Sequence, residues 1–191
     1  MEKVLKKIVL TLLLAAMILG FPGRSWPRQF RVIKVYDGDT IKVTQGDTEI
    51  IVRLVGVDAP EVWKDVRYSG QAFGREAEAY LGSLILDRDV GINGYGYIDN
   101  VILLAEILCD GENINLKMLE AGLAEIPKEG DLPKNLNRTP YLEAEGRAKA
   151  APEGMWTLGS DYVSPAKWRE THRSKSAAAM ILYGILEEGA K

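Results

Sequence analysis

The sequence predicts an α+β fold in which five β-strands close into a small barrel and about three α-helices pack against it. Three observations carry this. Between Phe30 and Leu108 the β-branched and apolar residues come in short runs punctuated by turn residues, Asp37-Gly38-Asp39 and Gly46-Asp47 among them. Between and after those runs lie segments whose apolar residues recur at helical spacing. A length of 191 residues with 47% apolar composition suits one domain with a proper core and short appendages.

The elements follow in order. Arg31 to Val35 and Thr40 to Val43 flank the first turn, where Gly38 reads as a residue chosen for positive φ. Glu49 to Val57 makes a third strand after Gly46-Asp47. A loop containing Trp63, Lys64, Arg67 and Tyr68 leads into a helix carrying Ala77, Tyr80, Leu81, Leu84 and Ile85. Asp89 to Tyr97 and Val101 to Leu108 form the last hairpin; its Gly91-Ile92-Asn93-Gly94-Tyr95-Gly96 looks like a phosphate-binding loop, but no helix follows it. A second helix starts at the cap Asn113 and stops at Gly122. The third opens on Thr139-Pro140 and runs to Pro152. Residues 157 to 175, with Pro165, Trp168 and His172, read as an irregular wrapping tail. Ala177 to Leu186 is an apolar stretch long enough for about three turns of helix, docked on the body or on a protein partner. Strands that close on themselves with helices plugging the barrel describe an OB-like fold.

The ends and the charge narrow the setting. Basic Lys3, Lys6 and Lys7 precede the apolar run Ile8 to Phe21, fourteen residues, shorter than the ~20 that cross a bilayer, before Pro22-Gly23. That pattern is a secretory signal, so the protein is expected to be exported, with an uncleaved anchor and membrane contact as the alternative. Residues 1–25 carry a net +3, so their removal takes the formal charge from −3 to −6. Such a chain gains nothing from nonspecific attraction to a polyanion; a divalent cation would supply the missing positive charge. Cys109 is the sole cysteine and reads as a small buried strand residue, which excludes an internal disulfide. His172 has no Cys or His companions for a zinc site. Trp63, Tyr68, Tyr95 and Tyr97 are of the type that stacks on bases, though packing is the simpler role for each.

The chemistry concentrates in two tight segments, Tyr36-Asp37-Gly38-Asp39-Thr40 and Arg53-Leu54-Val55-Gly56-Val57-Asp58-Ala59-Pro60-Glu61. Each places acids at the end of an apolar strand, so Asp39, Asp58, Glu61 and Arg53 can meet as hard-cation ligands plus one fixed cation. Asp39 and Asp58 are the candidate metal ligands, with the carbonyl of Ala59 as a third oxygen; turn capping is their structural alternative. Arg53 would grip a phosphate through its planar fork, or else pair with Asp39 or Glu61. Asp37 and Glu76 are read as turn and helix residues outside the site.

These blocks resemble the staphylococcal nuclease (thermonuclease-like) family. Asp37-Gly38-Asp39-Thr40, then Arg53 through Glu61, then Gly74-Arg75-Glu76-Ala77 and finally Gly154-Met155-Trp156 stand in the family's order. The resemblance implies an OB-like barrel and a calcium-dependent nuclease acting on DNA or RNA with little sequence preference. Asp39 and Asp58 would hold Ca2+, Glu61 would hold or deprotonate the attacking water, and Arg53 would stabilise the phosphate. Together with the readings of the two ends above, it gives a segmentation: residues 1–25 as signal, 28–158 as the nuclease domain, and 159–191 as an extension ending in a short apolar helix. Ile102 falls where the family's second catalytic arginine stands, so a weakened activity is expected. Arg67 and Arg75 are the candidates for a replacement, and a catalytically inactive module binding nucleic acid or protein is the alternative.

Overall fold

Six strands form one sheet: β1 Gln29–Val35, β2 Thr40–Gln45, β3 Thr48–Leu54, β4 Asp89–Ile98, β5 Ile102–Cys109 and the two-residue β6 Glu112–Asn113, in the order β3-β2-β1-β4-β5-β6. This computed structural model describes residues 29–62 and 70–172. A parallel pairing of β3 with β5, Arg53 beside Leu104 and Ile51 beside Ile102, closes five of the strands into the expected barrel. Parallel neighbours need a long connection. Helix α1, Gly74–Ile85, and strand β4 supply it.

The turns explain the antiparallel pairs. Asp99 and Asn100 join β4 to β5 with φ of 49° and 59°, the two left-handed residues of a tight hairpin whose twist matches the strands it joins. Gly91 to Gly96 lies within β4, paired to β5 throughout and bent by a bulge between Gly94 and Gly96, so the hairpin reading of that glycine-rich run holds. Helix α2, Ile114–Glu120, is capped by Asn113, whose side chain accepts from the Leu116 amide, and Gly122 at φ 62° ends the helical stretch. Helix α3, Thr139–Ala150, has Pro140 in its first turn.

The core sits inside the barrel and under the three helices. Val32, Ile41, Val43, Val52, Leu54, Ala105 and Ile107 meet Ala77, Leu81 and Ile85 of α1, Ile114, Met118 and Leu119 of α2, and Tyr141 and Ala144 of α3. Free Cys109 is buried at its edge, as expected. One polar side chain lies at the centre. Fully buried Asn115 donates to the carbonyls of Val55 (2.8 Å) and Ala105 (3.0 Å) and accepts from the Ile107 amide (2.9 Å), tying α2 across the β3–β5 seam with its polar groups satisfied. Half-buried Glu106 plays a similar part on β5, accepting from Tyr95, Asn93, Asn113 and Tyr141. Tyr95 is thus a structural residue, while Tyr97 stands exposed on β4.

Three expectations need correction. The third strand stops at Leu54 rather than Val57, because Leu54 donates to the Asp39 carbonyl, Val55 to Ala105, and Gly56 turns at φ 72°. A Cβ at Gly56 would come within 2.5 Å of the Tyr141 ring. Gly38 does not adopt positive φ; a Cβ there would stand 2.6 Å from the Cβ atoms of both Ala59 and Ala77, so its role is close approach of the first turn to the site and to α1. From residue 157 to 172 the tail is largely helical, not irregular: 3-10 turns over Gly154–Asp161, kinked at Gly159, lead to helix α4, Pro165–Thr171, where Ser164 caps by accepting from the Lys167 amide. Residues 1–25, the loop with Trp63, Lys64, Arg67 and Tyr68, and Ala177 to Leu186 lie outside the described residues. Among those described, no helix is long and apolar enough to cross a membrane.

Candidate active site

At one end of the barrel the β1–β2 turn, the end of β3 and the segment after it converge. Asp39 is buried, its amide donating to Asp37 Oδ1 (3.0 Å) so that the turn aims its carboxylate inward. Its Oδ1 accepts from the Thr40 hydroxyl (2.8 Å), and its Oδ2 accepts from Arg53 (2.9 Å) and from the Ala59 amide (3.0 Å). Arg53 stands opposite Thr40 on β3 and also reaches Asp58 Oδ1 at 3.3 Å. Asp58, likewise buried, is fixed by two backbone bonds exchanged with Glu125 (2.8 and 3.0 Å), an isolated antiparallel bridge outside the strands. Glu61 is positioned by Gln71: its amide donates to Gln71 Oε1 (3.2 Å) and its carbonyl accepts from the Gln71 amide (2.9 Å).

The sequence-derived residues Asp39, Arg53, Asp58, Ala59 and Glu61 are therefore gathered in one place, with Arg53 paired to Asp39 and Asp58 rather than to Glu61. Sequence reasoning missed a further member. Arg169 of α4 reaches back across the site and donates to Asp58 Oδ1 and Oδ2 and to Glu61 Oε1, each at 2.8 Å. Of the arginines considered as replacements, Arg75 is exposed at the start of α1 and Arg67 lies outside the described residues. The Ser164-Pro165 cap signal could have revealed α4, but nothing local says where that helix packs.

Burial and charge shape the titrations. Desolvation and the neighbouring Asp39 push the Asp37 carboxyl well above its ordinary value. Burial likewise raises Glu61, partly offset by its bond from Arg169. Arg53 is held more firmly charged, chiefly by Asp39. Burial works against the charge on Arg169, but the bonds and charges of Asp58 and Glu61 outweigh it and move the group upward.

Comparison with known proteins decides the family. The family model described as "Staphylococcal nuclease homologue" matches residues 51–158. An uncharacterized endonuclease of Haemophilus influenzae is 32% identical over 175 residues, 90% of either chain. A micrococcal nuclease of Shigella flexneri is 30% identical over 171 residues, 84% of this chain and 91% of that one. A protein of Escherichia coli named ParB is 29% identical over 174 residues, covering 85% and 90%.

The chain belongs to the staphylococcal nuclease family. Arg53, Asp58, Ala59 and Glu61 lie within the span matched to that family, whereas Arg169 lies beyond its end. Among the described residues no three His, Cys, Asp or Glu side chains form a ready-made metal site. The donors present are nonetheless those of a hard cation, two buried carboxylates and a glutamate, and a guanidinium already rests on three of their oxygens. The set fits a divalent cation chemically once that guanidinium gives way.

Proposed function

We propose that this protein is a calcium-dependent nuclease that hydrolyses phosphodiester bonds of DNA or RNA with little sequence preference. The observation that carries the reading is the meeting of Asp39, Asp58, Glu61 and Arg53 at one end of the barrel, in a chain of the staphylococcal nuclease family. The endonuclease and micrococcal nuclease names of its relatives point the same way.

Each residue has a part that its surroundings suit. Glu61 holds the attacking water and takes its proton; burial lifts its pKa toward the operating range, which makes it a stronger base than an exposed glutamate. Arg53, fixed by Asp39 and charged throughout, presents its planar fork to the phosphate and stabilises the charge that develops there. Asp39 and Asp58, with the Ala59 carbonyl, would hold Ca2+, which when bound polarises the phosphate and lowers the pKa of water. Export behind the 1–25 signal, a nuclease domain over 28–158 and a C-terminal extension from 159 complete the reading.

A second reading, a module that binds nucleic acid or protein without chemistry, draws on Ile102, which pairs with Ile51 on the strand that carries Arg53 and brings no charge. One experiment separates the two. Incubating the protein from Trp26 onward with single-stranded DNA should give degradation with calcium and none with a chelator. Intact DNA in both arms, with retention of the strand on the protein, would favour the binding module.

A further inference from the structure

We propose that Arg169 is an internal cation seated where the divalent cation would bind, which makes helix α4 a latch that the cation must displace. The inference rests on the calcium reading above and concerns how the site is switched. Arg169 uses two nitrogens on Asp58, one on each carboxylate oxygen, and shares one of them with Glu61 Oε1. Arg53 adds a contact to Asp58 Oδ1. Both oxygens of a buried carboxylate are therefore committed to guanidinium groups, and a doubly charged ion placed on Asp58 would sit a few ångströms from Arg169. Two cations at that separation in a partly desolvated site repel strongly. Either the ion or Arg169 holds Asp58.

The same contact occupies the proposed base. Arg169 donates to Glu61 Oε1 at 2.8 Å, so in the latched site that oxygen is taken by the guanidinium rather than open to a water.

The fold makes the latch releasable. Helix α4 has seven residues, of which Pro165 alone is buried. Its first turn is capped by Ser164, and Gln71 ties the residue before the cap to the body, its side-chain amide nitrogen donating to the Val163 carbonyl at 2.7 Å. Gln71 is also the residue that positions the Glu61 backbone, so tail and base share one support. Moving α4 away breaks the Arg169 contacts, which an incoming ion would replace, and uncovers only Pro165 among the helix's buried residues. Replacing a guanidinium by Ca2+ keeps the acids neutralised throughout, whereas moving Asp39 or Arg53 would disrupt the closed barrel.

Calorimetric titration of calcium into the wild type, Arg169→Ala and Arg169→Lys tests this, with hydrogen exchange of the 162–172 segment read in parallel on the wild type. Removing the competitor should tighten calcium binding by about tenfold or more, because the apparent affinity is scaled down by the small fraction of protein that is unlatched. Lysine keeps the charge but not the two-nitrogen fork, and should fall between. In the wild type calcium should speed exchange across 162–172 while slowing it around Asp39 and Asp58. Equal or weaker calcium binding by Arg169→Ala, or slower exchange of 162–172 on calcium addition, overturns the latch and leaves the calcium reading standing; the arginine would then share the site with the ion. No calcium binding by any of the three proteins removes the calcium reading and the latch together.

Discussion

The two arginines of the site are held in contrasting ways. Arg53 projects from a strand paired on both sides, to β2 through Thr40 and to β5 through Leu104, and ends on a carboxylate that also takes a backbone amide and a hydroxyl. Arg169 projects from a short helix on the surface and reaches the barrel through ion pairs to Asp58 and Glu61. The first arrangement is built by the barrel and cannot move without it. The second exists only while its carboxylates are available. A charge on the barrel is therefore suited to fixed stabilisation of a reacting phosphate, and a charge on the tail to being exchanged.

The largest test of that contrast is Arg53→Ala. It should lower the rate on single-stranded DNA at saturating calcium by about 10² to 10³, the loss expected for one preorganised donor to developing charge. It should also destabilise the calcium-free protein by about 2–3 kcal/mol in urea melts, since it leaves buried Asp39 without its cation. Arg169→Ala should cost clearly less stability in the same melts; equal losses would mean that the tail is as integral as the barrel.

Next in size is Ile102→Arg. Ile102 opens β5 beside Ile51, on the strand next to the one that carries Arg53, two residues short of the Leu104 that pairs with Arg53 itself. A guanidinium added there should raise turnover by about tenfold or more if it reaches the phosphate, within the range that such groups supply in phosphoryl transfer. Val101→Arg, at an exposed position, is the register control and should leave the rate unchanged. No gain at Ile102 would show that a barrel-borne second charge is not what limits the site.

Asp37→Asn probes the acid crowding on the barrel side. The folded protein holds Asp37 above its ordinary 3.8, so ionising it costs stability. With respect to this group, stability is greatest below about pH 3.8 and is lost as pH rises through the folded pKa, remaining lost at neutrality. Asparagine keeps the acceptor for the Asp39 amide. Without calcium the variant should therefore melt higher than the parent at pH 7, with the difference closing toward pH 3; a lower melting point at pH 7 would contradict the sign.

The smallest effect should come from Ser164→Ala. Losing this cap costs about 1 kcal/mol, confined to α4. Hydrogen exchange should quicken over 164–172 with no change in the melting of the barrel. A lower melting point for the whole domain would join the two regions that the contrast separates.

Much of the barrel was legible because its determinants are local. Turn chemistry marks Asp99-Asn100 and Gly46-Asp47, the cap at Asn113 and the stop at Gly122 bound α2, and strand patterning marks β1, β2, β4 and β5 to within a residue or two. The end of β3 was not legible, since Val55 and Val57 are good strand residues and only the Tyr141 ring and the bonds to Asp39 and Ala105 turn the chain at Gly56. The same holds for Gly38, whose purpose lies in Ala59 and Ala77. Asn115 shows the limit in another form. Nothing local marks it, yet it is fully buried and bonded to three backbone groups at the β3–β5 seam.

By itself the sequence determined the five barrel strands, the three main helices and the acids and arginine of two short segments, because alternation, capping and acid-bearing turns act over a few residues. Only the tertiary structure decided that β3 and β5 close the barrel, that Arg53 pairs with Asp39 and Asp58, and that Arg169 completes the cluster. The last of these joins side chains 111 residues apart. Arg169 carries no local mark of its role: its helix is polar and short, and an arginine there is an ordinary surface residue until the barrel, the Glu125 bridge and Gln71 place a buried carboxylate within its reach.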